Sequence, residues 1–125
     1  MSRILIAEDS PAIRLLLIRR LEMAGHEVVA AVDGGEALRI IDNTPEKSQP
    51  QIVLLDAMMP ATDGSQALKS IKTSNPGIPV LVVSAVSGLS NSPEWDQADG
   101  HINKPIDFDY LFSRIEALTS GRPRP

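Results

Sequence analysis

A chain of 125 residues with a formal net charge of -4 fits one domain, large enough to bury about two thirds of its unfolded surface. The acidic balance and a content of one Trp, one Tyr and two Phe argue against direct nucleic-acid binding, an anionic membrane partner or a base-stacking platform. With no cysteine, no apolar run approaching roughly 18 residues and no signal-peptide core after Met1-Ser2-Arg3, the chain is expected to be soluble and cytoplasmic, without disulfides or thiolate metal sites.

The first apolar run, Ile4-Leu5-Ile6-Ala7, predicts a strand that ends on Glu8 and Asp9. Ser10-Pro11 supplies an N-cap and a proline for the first helical turn, and Ile13, Leu16, Leu17 and Leu21 then recur at helical spacing up to Gly25. Arg14, Arg19 and Arg20 are interleaved with these and read as a solvated helix face in preference to a phosphate-binding stripe. Glu27 to Ala31 predicts a second strand, and Asp33-Gly34-Gly35 opens a helix through Ala37, Leu38 and Ile41. Residues 43–51 are polar and form a connection. Ile52-Val53-Leu54-Leu55 predicts a third strand closing on Asp56, followed by a loop from Met58 to Gly64 and a helix carrying Ala67, Leu68 and Ile71, stopped by Asn75-Pro76-Gly77. A fourth strand over residues 79–83 precedes Ser84. Residues 86–99 hold few helix formers and predict a short fourth helix or an irregular loop, with Trp95 either packing that segment down or meeting a partner. Residues 100–103 form a fifth strand before Lys104-Pro105, and Asp107 caps a last helix with Leu111, Ile115 and Leu118. The expected organisation is one domain over 1–120 and a flexible tail over 121–125.

Alternating strands and helices with short connections predict an α/β, doubly wound parallel sheet with right-handed crossovers. Continuous aliphatic runs suit strands buried on both faces, and ligands of such sheets bind at the carboxyl ends of the strands. Glu8, Asp9, Asp56, Ser84 and Lys104 would therefore meet in one crevice. Each also has a plainer reading: the acid pair as favourable charges at a helix N-terminus, Ser84 as a backbone partner, Lys104 as a solvated charge. For Asp56, a carboxylate after four buried aliphatics is costly without a role.

The segments Ile4-Leu5-Ile6-Ala7-Glu8-Asp9-Ser10, Asp56-Ala57-Met58-Met59-Pro60 with Asp63-Gly64, Ser84-Ala85 and Lys104-Pro105, in this order, resemble a response-regulator receiver domain of the single-domain chemotaxis type. The resemblance implies a flavodoxin-like five-stranded sheet in the order 2-1-3-4-5, helices on both faces and a cis Lys104-Pro105 bond. It implies Asp56 as phosphoacceptor, taking its phosphoryl group from a histidine kinase or histidine phosphotransfer protein. Glu8, Asp9, Asp56 and the Met58 main-chain carbonyl would hold Mg²⁺, with Mn²⁺ as a substitute, and Ser84 and Lys104 would contact the phosphoryl oxygens. The chain would act as a switch in a phosphorelay, as a monomer or weak dimer, catalysing only its own phosphorylation and slow dephosphorylation. Met58 and Val86, both apolar, offer no side-chain hydrogen bond to a hydrolytic water.

Two departures bear on output. Receivers place Tyr or Phe three residues before the lysine, and here that residue is His101, read as a weakened switch beside Ser84 or as an edge-strand histidine. The segment between Ser84 and Lys104 is short, which alters the helix 4, strand 5 and helix 5 face expected to meet a downstream protein. The competing readings are a phosphate-independent interaction domain and a small aspartate-nucleophile phosphatase of the haloacid-dehalogenase type. The latter needs a second Asp two positions after Asp56, where this chain has Met58.

Overall fold

The computed structural model describes residues 2–59, 62–85 and 92–120, with backbone alone at 59, 62 and 63. Five parallel strands, β1 (Arg3–Ala7), β2 (Glu27–Ala31), β3 (Ile52–Asp56), β4 (Val80–Ser84) and β5 (Gly100–Asn103), form one sheet in the order β2-β1-β3-β4-β5. Among the described residues four α-helices surround it: α1 (Pro11–Met23), α2 (Gly34–Asn43), α3 (Gly64–Ser74) and α4 (Phe108–Thr119). This is the flavodoxin-like, doubly wound arrangement expected from the sequence.

The aliphatic runs become strands because both sheet faces are covered. Every residue of β3 and β4 is buried, whereas the edge strand β2 alternates exposed and half-buried residues up to Ala31. Successive side chains alternate between the faces. Leu5, Val53, Leu55 and Val82 pack with Ala37 and Ile41 of α2 and Leu68 and Ile71 of α3. Ile6, Leu54, Leu81 and Val83 pack with Leu17 and Leu21 of α1 and Leu111 and Ile115 of α4. Among the described residues no helix is long and apolar enough to cross a membrane.

Helix starts follow their caps. Ser10 Oγ accepts from Ile13 N at 3.4 Å, Asp33 Oδ1 from Glu36 N at 2.8 Å and Asp107 Oδ1 from Tyr110 N at 3.2 Å. Gly25, at φ 94° just past the end of α1, occupies left-handed backbone that favours glycine.

Several expectations need adjustment. β4 starts at Val80, one residue later than expected, and extends to Ser84; Pro79 has no N–H to donate to a ladder, though its carbonyl accepts from Val53 N at 3.0 Å. Leu16 is 47% exposed, because the buried stripe of α1 runs through Leu17 and Leu21 with Ile13 and Ile18 at its margins. The connection after α2 contains a 3₁₀ turn, Glu46–Ser48. Residues 86–91 of the expected fourth helix lie outside the described residues, and the part that follows holds a 3₁₀ turn, Pro93–Trp95. Trp95 is buried against the α2–α3 side of the sheet, which makes it a packing anchor.

The end of the sheet remote from Asp56 is cross-braced. Asp99 Oδ2 accepts from Val80 N at 2.8 Å and from Lys72 Nζ at 3.0 Å, and Lys72 Nζ also donates to Ile78 O at 3.1 Å. One lysine of α3 thus ties the entries to β4 and β5 together.

Candidate functional site

Four strand ends deliver the candidate residues to one place. Glu8 and Asp9 follow β1, Asp56 closes β3, Ser84 closes β4 and Lys104 follows β5. Register keeps them level: Asp56 pairs with Val83, Ser84 pairs with Asn103, and Lys104 N donates to Ser84 O at 2.9 Å. The Lys104-Pro105 bond is cis. β2 contributes no candidate side chain, but Ala31 O accepts from Glu8 N at 3.1 Å and so anchors the acid pair from the edge.

The crevice holds opposed charges at short range. Lys104 Nζ lies 3.2 Å from Glu8 Oε1 and 3.4 Å from Asp56 Oδ2, and Glu8 and Asp56 are only 2% and 3% exposed. Met58 N donates to Asp56 Oδ1 at 3.1 Å, and Ser10 N donates to Glu8 Oε2 at 3.1 Å. Burial, reinforced by the neighbouring Asp56 carboxylate, pushes the Glu8 carboxyl up to about 7 despite the Ser10 amide and the Lys104 charge. For Lys104, burial works against the charged form, but the carboxylates of Asp56 and Glu8 outweigh it and raise the ammonium above its ordinary value. The Met58 side chain is 63% exposed and Ser84 is buried.

A cation fits this donor set. One carboxylate oxygen from each of Glu8, Asp9 and Asp56 lies within 4.8 Å of the others. Among the described residues Glu8 Oε1 is buried and its near neighbour is the Lys104 ammonium, 3.2 Å away. Hard oxygen donors, several of them anionic, suit Mg²⁺.

Two supports were not legible as such in the sequence. Gly64 opens α3 against the end of β3, and a Cβ there would sit 2.7 Å from Ala57 O and 3.0 Å from Asp56 O. The Asp63-Gly64 pair at the opening of α3 was the available signal for that close approach. Arg14, read as part of a solvated face, instead reaches back so that Nη1 donates to Glu8 O at 2.8 Å and Asp9 O at 3.3 Å. Arg20 also departs from that reading, its guanidinium lying 4.2 Å over the Phe108 ring. His101 is half-buried beside Val82 in register, its Nδ1 has no hydrogen-bond partner among the described residues, and burial lowers its pKa.

Comparison with known proteins places this geometry. The family model of the response regulator receiver domain matches residues 4–116. The DNA-binding dual master transcriptional regulator RpaA of Synechocystis is 36% identical over 124 residues, covering 94% of this chain and 49% of that protein. Protein PilH of Pseudomonas aeruginosa is 31% identical over 126 residues, covering 97% of this chain and all of PilH. The chain spans about half the length of most curated relatives it matches. Among solved structures, response regulator TrrA of Thermotoga maritima, in complex with Mg²⁺-BeF, superposes with a TM-score of 0.86 at 29% identity, covering 94% of this chain and 99% of that one. TrrA bound to histidine kinase ThkA superposes equally well, at 0.86 and 29%, over 96% of this chain and all of that one. With the sheet order, the acidic cluster at the strand ends and a match along nearly its whole length, this chain belongs to the response regulator receiver domain family of two-component signalling.

Proposed function

We propose that Asp56 accepts a phosphoryl group from a histidine kinase or histidine phosphotransfer protein, and that the acyl phosphate switches binding of a downstream protein. The observation that carries this reading is the buried Asp56 carboxylate with Lys104 Nζ 3.4 Å away and oxygens of Glu8 and Asp9 within 4.8 Å. A carboxylate is already ionised at neutral pH and needs no base. Asp56 attacks phosphorus, the phosphorus–nitrogen bond of the donor phosphohistidine breaks, and the leaving imidazole keeps the bonding pair and is protonated. Lys104 offsets charge on one phosphoryl oxygen, and the Ser84 hydroxyl turns to donate to another. Glu8, Asp9, Asp56 and the Met58 carbonyl are the residues that would hold Mg²⁺, which when bound supplies the positive charge that lets an anion approach a phosphoryl group. Oxygen donors suit Mn²⁺ as well, but Mg²⁺ is the ion beside beryllofluoride in TrrA.

The kinase-bound TrrA structure supports a kinase as donor. The domain extends over 1–120, with 121–125 as a tail outside the described residues. Its output face lies around β5 and α4, the positions of strand 5 and helix 5 in the family scheme, and His101 reports the state of Ser84 there. An Ala at position 101 that left phosphorylation-dependent partner binding intact would remove His101 from this scheme. Self-dephosphorylation is slow because Met58 offers no hydrogen bond to a hydrolytic water; Val86, the second such position, lies outside the described residues. The alternative of a phosphatase is disfavoured by apolar Met58 at the position where that chemistry requires an acid.

The test is incubation with acetyl phosphate and Mg²⁺, read by intact mass. One added phosphoryl group on the native chain and none on Asp56→Asn is the expected result. Equal labelling of both, or turnover of a phosphate ester, would overturn the reading.

A further inference from the structure

Arg14 does more than open a helix. Its backbone N–H makes the first bond of α1, to Ser10 O at 2.9 Å, and its side chain runs back along the strand-to-helix junction. There Nη1 donates to Glu8 O at 2.8 Å and to Asp9 O at 3.3 Å. Both carbonyls lie after the last residue of β1 and before the first of α1, where neither ladder nor helix supplies their donor. Glu8 is thereby held at its N–H by Ala31 O, at its carbonyl by Arg14 and at Oε2 by Ser10 N, which leaves Oε1 directed at Lys104 and the acidic cluster. Among the described residues Asp9 is held at its carbonyl, by Arg14, and its carboxylate takes its place from the backbone so fixed.

We propose that Arg14 is a positioning residue for the acid pair: by clamping the two carbonyls it makes the carboxylates of Glu8 and Asp9 converge with Asp56, and so sets the affinity of the crevice for Mg²⁺. The inference rests on the phosphoacceptor reading. The clamp is specific in geometry. A guanidinium can serve two acceptors from one fixed plane, whereas Arg19, on the same helix, is exposed. Partners that orient metal ligands from behind typically contribute about 10-fold or more to metal affinity.

The experiment uses the full chain, stripped of metal, with Mg²⁺ alone as the titrant in calorimetry and thermal unfolding measured in parallel. Arg14→Met is expected to raise the Mg²⁺ Kd about 10-fold, Arg14→Lys, which keeps the charge but not the planar fork, to recover part of that loss, and Arg19→Met, which removes the same charge from α1, to leave the Kd unchanged. Amide shifts of Glu8 and Asp9 should move in Arg14→Met and return towards native values in Arg14→Lys. Should Arg14→Met not fold, Arg14→Gln, which keeps one donor group, is expected to give a Kd above that of Arg14→Lys, and a native Kd in Arg14→Gln overturns the proposal. A lowered Tm with unchanged Kd would assign Arg14 a purely structural role and overturn the proposal, as would an equal Kd loss in Arg19→Met. Native protein that takes up neither Mg²⁺ nor a phosphoryl group would instead overturn the phosphoacceptor reading, and this inference with it.

Discussion

Replacing Glu8 by Gln tests the electrostatics of the crevice without the phosphodonor. In metal-free protein the Glu8 carboxyl stands at about 7 against an ordinary 4.5, chiefly because it is buried. Above 4.5 the unfolded chain releases this proton while the folded chain keeps it, so stability falls with rising pH until the folded form ionises near 7. At about 1.4 kcal/mol per pH unit, the window from 4.5 to about 7 corresponds to a loss of about 3 kcal/mol, an upper figure because Glu8 interacts strongly with its charged neighbours. Gln keeps the shape and can still accept from Ser10 N, but it has no proton to lose. Urea unfolding of both proteins in EDTA, from pH 4.5 to 8, should show Glu8→Gln equal to native at the acid end and more stable at the alkaline end. Differences between the two curves cancel the titration of histidines and other carboxylates. Saturating Mg²⁺ should invert the trend for native protein only, since the ion requires the carboxylate form. Parallel curves across the whole range would refute the reasoning.

Lys104→Met leaves Glu8 and Asp56 buried without a counter-charge; we expect a stability loss of about 1–3 kcal/mol in EDTA, largely restored by Mg²⁺, and labelling by acetyl phosphate slowed about 100-fold. Normal labelling rates would remove Lys104 from the chemistry. Gly64→Ala drives a Cβ against main-chain oxygens at 2.7 and 3.0 Å, which cannot yield as a flexible side chain would. The expected cost is about 1–3 kcal/mol, seen as a lowered denaturation midpoint with shifts at Asp56 and Ala57. Met58→Asn, which introduces a hydrogen-bonding side chain beside Asp56, should shorten the lifetime of the acyl phosphate followed by mass; an unchanged lifetime would contradict the account of slow hydrolysis.

The elements most legible in the sequence were those with a single physical cause. β3 is four aliphatics closed by an acid, and β5 and the Asp107 cap fall where expected, because burial on two faces and an unsatisfied helix start leave little choice of residue type. Leu16 shows the limit of spacing: a helix on a sheet buries a stripe only about two side chains wide per turn, and periodicity does not say which of two adjacent leucines lies inside. Arg14 and Arg20 were illegible for another reason. Their stems follow the helix pattern, but their guanidinium groups are placed by two strand-end carbonyls and by Phe108, which is distant in sequence. The candidate crevice was visible because strand ends are predictable in a parallel sheet. Its supports were not, because they depend on close approaches between backbones.

The brace around Asp99 has a mechanical consequence. Lys72 and Val80 N converge on one carboxylate oxygen where β4 and β5 begin, while the opposite ends of these strands carry Ser84 and Lys104. Between this brace and the Lys104 N–Ser84 O bond of 2.9 Å at the crevice the two strands are paired throughout, so they act as one lath: a displacement imposed at Ser84 carries the edge of β5 with it.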